Sequence, residues 1–232
     1  MERPVLKTET SMNRVTFFCR HTNRIRHYWH GHGTLNTLGF LATRVVRCRR
    51  YVVFDASLEI ERPCTLWGEG EQLQRIGPEE VDTALTPEVR AFLGDADAQE
   101  SIEGVRQGNQ LFLVTNHGEI QHCGYILFET RQTKILGEKD RPPLIACCLT
   151  APAARGRGLY RKALNAELCY LRTRGYRRAV IETDPENAPS RKGIEAAGFR
   201  LRREISACIL LNWLVLQKVR EDTRTKWTLT VL

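Results

Sequence analysis

This 232-residue chain has no long hydrophobic run. Its longest apolar stretch, around Ala207 to Leu216, falls well below the ~18 residues a spanning helix needs. The N-terminus, MERPVLKTETSM, lacks the charged-then-apolar pattern of a secretory leader, so the sequence predicts a cytoplasmic protein with no transmembrane segment. Its eight cysteines, Cys19, Cys48, Cys64, Cys123, Cys147, Cys148, Cys169 and Cys208, include no CxxC pair. That excludes a zinc ribbon and a small disulfide scaffold, and the apolar neighbours of the cysteines predict reduced thiols. There is no internal repeat and no low-complexity tract. What remains is an ordinary globular composition, 42% hydrophobic and 27% charged, long enough for one domain with an extension or two small domains.

Acidic residues are scarce at one end. Residues 1–50 hold ten Lys and Arg against only Glu2 and Glu9, whereas residues 51–232 hold 25 of each sign, so the N-terminus carries the whole formal charge of +8. Clustered arginine can release counterions from nucleic acid or meet an anionic membrane. The arginines follow no repeated motif, which favours a solvated surface over either partner. Four histidines, His21, His27, His30 and His32, share this segment, but no Cys or carboxylate joins them at ligand spacing and Gly31 and Gly33 interrupt them. The reading is a loop, with no metal site. Leu35, Leu38, Leu41 and Val45 then recur at helical spacing, and RRYVVFDASLEI from Arg49 reads as a strand. Pro, Gly and polar residues over 62–72 suggest a boundary between an extension, 1–71, and a main domain, 72–232.

Within 72–232 the order of elements is informative. LQRI at 73–76 reads as a strand, and Pro78 and Pro87 introduce helical stretches near 78–95 and 98–107. QLFLVTNHGEIQHCGYILFET reads as a hairpin turning at Asn116-His117-Gly118. PLIACCLTA, a continuous apolar run, reads as a central strand buried on both faces. Tyr160, Leu164, Leu168 and Leu171 form one stripe of a helix over 158–173 that Gly175 ends. RRAVIETD is a further strand, so strand, helix and strand make a right-handed parallel crossover. A helix from Pro189 to Gly198 and a terminal pair of strands complete a mixed α/β sheet.

APAARGRGLYRKAL, at 151–164, lies between a buried strand and a helix. Gly156 and Gly158 let the backbone turn sharply at a helix start, where four amide donors lack intrahelical partners. Arg155 and Arg157 add charge at the same spot, which makes a pyrophosphate a natural guest. No Gly-Lys-Ser/Thr follows and no third glycine sits at dinucleotide spacing, so neither Walker A nor Rossmann binding fits.

RGRGLYRKAL resembles the Gln/Arg-x-x-Gly-x-Gly/Ala acyl-CoA motif of the GNAT N-acetyltransferase superfamily, with Pro152 three residues before Arg155. ETDPENAPSRKGIEAAGF is similar to that superfamily's second motif, a strand ending in Glu with an Asn five residues on, then a helix and Gly-Phe. The likeness in element order covers roughly residues 72–219. It implies a central sheet splayed into a V that holds acetyl-CoA or another acyl-CoA. By that resemblance the pantetheine arm pairs with Cys148, Leu149 and Thr150, the pyrophosphate meets the amides of Arg155, Gly156, Arg157, Gly158, Leu159 and Tyr160, and Asn187 contacts the pantetheine. Tyr160 replaces the usual Gly or Ala, and its place on the apolar stripe predicts core packing.

The implied reaction is acyl transfer to an amine of a small molecule or peptide by direct attack on the thioester. Such chemistry needs a neutral amine, donors for the developing oxyanion and sometimes an acid for the thiolate. Glu182, five residues before Asn187, takes the place of the base used in some family members. The amide of Leu149 or Thr150 would supply the oxyanion donor. The usual tyrosine acid is replaced by Ile194, leaving unassisted departure, Tyr170 or a cysteine as alternatives. Cys147 and Cys148 read as buried small apolar residues rather than acyl carriers. A non-catalytic acyl-CoA sensor or scaffold is the competing expectation, followed by a basic adaptor. The acceptor is not legible.

Overall fold

The computed structural model describes residues 46–59, 65–84, 86–211 and 213–231. Most of the basic N-terminal stretch, its histidines and the helix expected over Leu35 to Val45 lie outside the described residues. Nine strands form one sheet: β1 (Val46–Ser57), β2 (Glu71–Ile76), β3 (Gln110–Asn116), β4 (Glu119–Leu127), β5 (Leu144–Thr150), β6 (Arg178–Thr183), β7 (Arg200–Leu210), β8 (Leu214–Glu221) and β9 (Arg224–Val231). Their order is β2-β3-β4-β5-β6-β1-β7-β8-β9. Among the described residues only β5 and β6 pair in parallel, joined through the crossover helix α5 (Leu159–Thr173). The remaining α-helices among the described residues are α1 (Val81–Ala84), α2 (Pro87–Leu93), α3 (Asp95–Arg106), α4 (Arg131–Ile135) and α6 (Ala188–Ala196).

The strand read as part of an N-terminal extension is an interior member of this sheet. β1 pairs with β6 from Val52↔Thr183 to Ser57↔Arg178, and with β7 from Val46↔Leu210 to Asp55↔Arg200. Val52, Val53 and Phe54 are at most 1% exposed. Three successive buried residues are the mark of a strand covered on both faces. The expected helices at 78–95 and 98–107 are three shorter ones. Thr86 caps α2 by accepting the Val89 amide, and Gly94, at φ 82°, separates α2 from α3. At the β3–β4 turn both His117 (φ 49°) and Gly118 (φ 86°) are left-handed, the requirement of a tight hairpin. Two elements escaped the sequence reading: the one-turn α4, and β9, whose RTKWTLTV alternates with threonine rather than with charge.

Alternate residues on each strand separate the two faces. Phe112, Ile126, Ile145 and Ile181 pack with Leu164, Leu168 and Leu171 of α5 and Ile194 of α6. On the other face Leu111, Leu113 and Tyr125 pack with α1 to α3, while Val53, Leu144 and Val180 pack with Ile135 of α4. Each fully buried leucine of α5 contributes roughly 1.5–3 kcal/mol. Next to α4, the buried Glu138 carboxylate binds Arg178, Arg202 and Arg203, and Asp55 of β1 bridges the first two. These contacts tie β6, β1 and β7 together. Cys48 and Cys208, opposite one another in the β1–β7 register, are joined as a disulfide, contrary to the expectation that every cysteine is reduced. The reason is tertiary: pairing strands 160 residues apart places the two Cα atoms within 4.1 Å.

Candidate active site

β5 and β6 are paired at only two positions, Leu144↔Val180 and Ile145↔Ile181. Beyond them the strands part. The cause lies on the β4 side, where Cys123 pairs with Leu149 and Tyr125 with Ala146, leaving Cys147 and Cys148 opposite the single residue Gly124. This bulge, with Cys147 at φ 52°, bends β5 away from its parallel partner. PLIACCLTA is therefore buried only from Pro143 to Ile145, and from Ala146 onward it is half-buried or exposed. Cys147, expected in the core, is exposed for the same reason. The Ala151 amide donates to the Gln121 carbonyl, so by strand alternation the Thr150 amide, rather than that of Leu149, faces the open side.

The open end of β5 leads into a 3₁₀ turn at Pro152–Ala154 and then to Gly156 and Gly158, both at φ 76°. Nothing lies within 4 Å of a Cβ built at either glycine, so their role is conformational rather than steric. Gly158 is the N-cap of α5 and has no side-chain cap. Arg155, Gly156, Arg157 and Gly158 are exposed, and the Arg155 guanidinium folds back on the Thr150 carbonyl at 3.3 Å. Uncapped amides at a helix start beside two arginines fit an anionic phosphate. Leu159 is buried beneath this turn and anchors it.

Glu182, near the end of β6, points to the face covered by α4. Its Oε1 accepts a hydrogen bond from Gln132 Nε2 of α4 at 3.3 Å. Burial raises its carboxyl above the ordinary value, partly offset by Gln132, with Asp184 raising it further. Tyr51 of β1 joins them: its phenol lies beside Gln132 and feels the charge of Glu182, and burial raises its pKa. Val53 sits directly opposite Glu182 in the β1–β6 register, and Tyr51 lies two residues further along the same face. Sequence reading missed both Tyr51 and Gln132. No local pattern marks them, because β1 and α4 reach Glu182 only through sheet order.

A second polar group lies on the other face, under α5. His122 Nδ1 is 2.8 Å from Thr150 Oγ1, while its Nε2 is buried without a partner, and burial lowers its pKa to about 4. The Tyr160 ring lies 5.8 Å from the His122 ring. Its hydroxyl is 3.3 Å from Ser190 Oγ and within hydrogen-bonding reach of the Cys148 thiol. Tyr160 thus packs on the core as expected and also contacts α6, where Gly193 leaves room for its ring. Glu167 of α5 is fully buried against Gly124, and neither carboxylate oxygen has a partner. Burial raises its pKa well above the ordinary value.

Of the other residues singled out, Asn187 caps α6, its Oδ1 accepting the Ser190 amide at 3.2 Å. Ile194 is fully buried. Tyr170 is edge-on to Phe112 and lies beneath Arg75, eleven residues along α5 from its start, about 16 Å from the phosphate-sized turn.

A family model described as Acetyltransferase (GNAT) domain matches residues 69–200. No curated protein matches the sequence. The chain is similar to a GNAT-family acetyltransferase of Colwellia psychrerythraea, at 18% identity and a TM-score of 0.47, over 76% of this chain and 60% of that one. It is similar to another from Novosphingobium aromaticivorans, at 18% identity and a TM-score of 0.48, over 71% of this chain and 66% of that one. An acetyltransferase with acetyl-CoA from Clostridium acetobutylicum matches at 12% identity and a TM-score of 0.40, over 56% of this chain and 90% of that one. The chain thus spans under two thirds of the length of the first two.

Proposed function

Since the chain belongs to the GNAT acetyltransferase family, we propose that it transfers an acyl group from acetyl-CoA to an amine, with the cleft between β5 and β6 as its active site. The observation that carries this reading is the two-residue parallel pairing of β5 and β6, opening toward an uncapped, glycine-bounded helix start. The uncapped amides, Arg155 and Arg157 suit a diphosphate, and the outward-facing Thr150 amide suits an extended amide-bearing arm. Acetyl-CoA would supply the activated acyl group as a thioester.

The chain's own residues then divide the work. The carboxylate of Glu182 takes a proton from the acceptor ammonium or amine, directly or through water. Gln132 holds that carboxylate in place by donating to Oε1. The Thr150 amide is the donor best directed toward a developing oxyanion. Ile194 supplies no proton, and Tyr170 lies too far along α5 to do so, which leaves unassisted departure of the thiolate, a cysteine of β5, or the phenol of Tyr51 or Tyr160 as the alternatives.

Calorimetry with acetyl-CoA, followed by thiol release across a panel of amines, tests the reading. Saturable binding and amine-dependent thiol release are expected. Absence of binding sinks the site, whereas binding without turnover on any amine would favour a sensor over an enzyme. No helix among the described residues is long and apolar enough to cross a membrane.

A further inference from the structure

One wall of the cleft carries charges that the acyl transfer itself does not use. β1 runs past the end of β6: their register begins at Val52↔Thr183, where β6 stops, so Val46 to Tyr51 flank the open end of the cleft while paired with β7. The register of β1 shifts only after Val53, so Arg47, Arg49, Tyr51 and Val53 alternate onto one face. On that face Glu182 stands opposite Val53. Arg50, of the other parity, instead reaches Glu186, just before α6, at 3.8 Å.

α4 brings a third arginine to the same face. Its first residue, Arg131, adjoins Gln132, which holds Glu182. Burial and then the charge of Arg47 lower the Arg131 pKa, so these two guanidiniums lie close together. Tyr51 feels the charge of Glu182 and also those of Arg49 and Arg47. All three arginines are exposed. Among the described residues neither Arg49 nor Arg131 has an ion pair or a side-chain hydrogen bond. Glu129 and Glu138, which flank α4 in the chain, are bound to other arginines. The strip is therefore dipolar, with Glu182 and its neighbour Asp184 at the cleft and the guanidiniums beyond Tyr51. Guanidiniums gathered in this way focus a positive potential and match planar oxyanions with paired hydrogen bonds.

We propose that the acceptor is a small amine that also carries an anionic group, a carboxylate or a phosphate, which Arg49 and Arg131 hold while Glu182 takes the proton from the amine. This rests on the acyl-transfer reading above and names the substrate class of the same site. The neutral nitrogen forms the amide bond to the acyl carbon as the carbon–sulfur bond breaks, the sulfur leaves as thiolate, and one proton passes to Glu182. Successive same-face positions of a strand lie roughly 7 Å apart, so the anion stands several bonds from the amine rather than on the adjacent carbon. A neutral amine leaves the guanidiniums unmatched, and a diamine sets its second ammonium against them.

Four amines that share a six-carbon chain test this: aminohexanoate, aminohexyl phosphate, hexylamine and diaminohexane. Calorimetry of each with the full chain and CoA reads acceptor affinity without turnover. The two anionic amines are expected to bind at least about tenfold more tightly than hexylamine, and diaminohexane more weakly than hexylamine. Arg49→Gln and Arg131→Gln, both at exposed positions, should bring that ratio toward one, and rising ionic strength should narrow it. Thiol release from acetyl-CoA should rank the amines alike, with the difference carried by KM. A lead of either anion over the other supports the site and identifies the anion's source. No heat from either anionic amine, equal affinity for all four, a preference for diaminohexane, or an anion preference that both variants leave intact overturns the proposal. Thiol release with none of the amines counts instead against the acyl-transfer reading, while the affinity ranking still decides whether Arg49 and Arg131 hold an anion.

Discussion

Glu182 Oε1 accepts its hydrogen bond from Gln132 Nε2, linking the end of β6 to a five-residue helix fifty positions earlier in the chain. The bond stabilises the charged carboxylate against burial, which pulls the other way. Activity should therefore rise with pH through a carboxyl titration lying above the ordinary value. Glu182→Gln should lower kcat/KM by about 10²–10⁴-fold and abolish that limb. A pH-rate profile with the limb intact in the variant would exclude Glu182 as the base.

Gln132 lowers the Glu182 pKa, so removing it should move the acid limb toward higher pH. Gln132→Ala is expected to show this shift with acetyl-CoA affinity unchanged, whereas Gln132→Glu should shift it further by adding a like charge. An unmoved limb in both variants would mean that the contact is idle during turnover.

Gly158 needs only its left-handed φ of 76°, since nothing crowds its missing Cβ. Gly158→Val forces a branched side chain into a conformation that costs an ordinary residue about 1–2 kcal/mol, and the strain falls on the amides at the start of α5. Acetyl-CoA affinity should fall at least about tenfold by calorimetry. Gly158→Asn, better suited to that φ, should retain more of it.

His122 is neutral in the fold, with its pKa lowered by burial from 6.5 to about 4. The unfolded chain binds a proton there between those values and the folded chain does not, so stability is full above pH 6.5 and falls as pH drops toward 4. The loss amounts to up to about 3 kcal/mol. Urea midpoints measured across this range should drop in the wild type and drop less in His122→Asn.

Glu167 has the opposite sign. Its folded pKa is raised, so the fold retains a proton that the unfolded chain releases above about 4.5, and stability declines as pH rises from there. Glu167→Gln should gain on the wild type progressively with pH. Gly124→Ala should be destabilising, because its new methyl meets the Glu167 carboxyl, and less so in a Glu167→Ala background. Additive effects of the pair would refute the contact.

Glu138 illustrates a third balance. Burial alone would raise its carboxyl, but the guanidiniums of Arg178, Arg203 and Arg202 outweigh that and hold it below 4.5. Its contribution is present above the ordinary carboxylate range and lost as pH falls through its lowered folded pKa. Glu138→Gln, which leaves three cations without their shared anion, should cost about 3–5 kcal/mol at neutral pH. Thermal denaturation will measure it, and a change below about 1 kcal/mol would mean that Asp55, Asp140 and Glu221 suffice to hold the cluster.

The amino-acid sequence by itself determined what a local period or a local bond can encode. The stripe Leu164, Leu168 and Leu171 made α5, His117-Gly118 made the hairpin, and Gly156 and Gly158 made the turn at the helix start, because each depends on neighbours a few residues away. Resemblance of its second motif to the family's also singled out Glu182, five residues before Asn187. Tertiary structure alone decided where β1 goes. RRYVVFDASLEI announces a strand, yet only the pairing of Val53 with Glu182 and of Cys48 with Cys208, each more than 120 residues distant, inserts it between β6 and β7. The same holds for the early parting of β5 from β6, the gathering of Tyr51 and Gln132 around Glu182, and the unpartnered carboxyl of Glu167. Those outcomes rest on strand register and burial, in which the gain from long-range packing must exceed the entropy of closing large loops, and no periodicity records that balance.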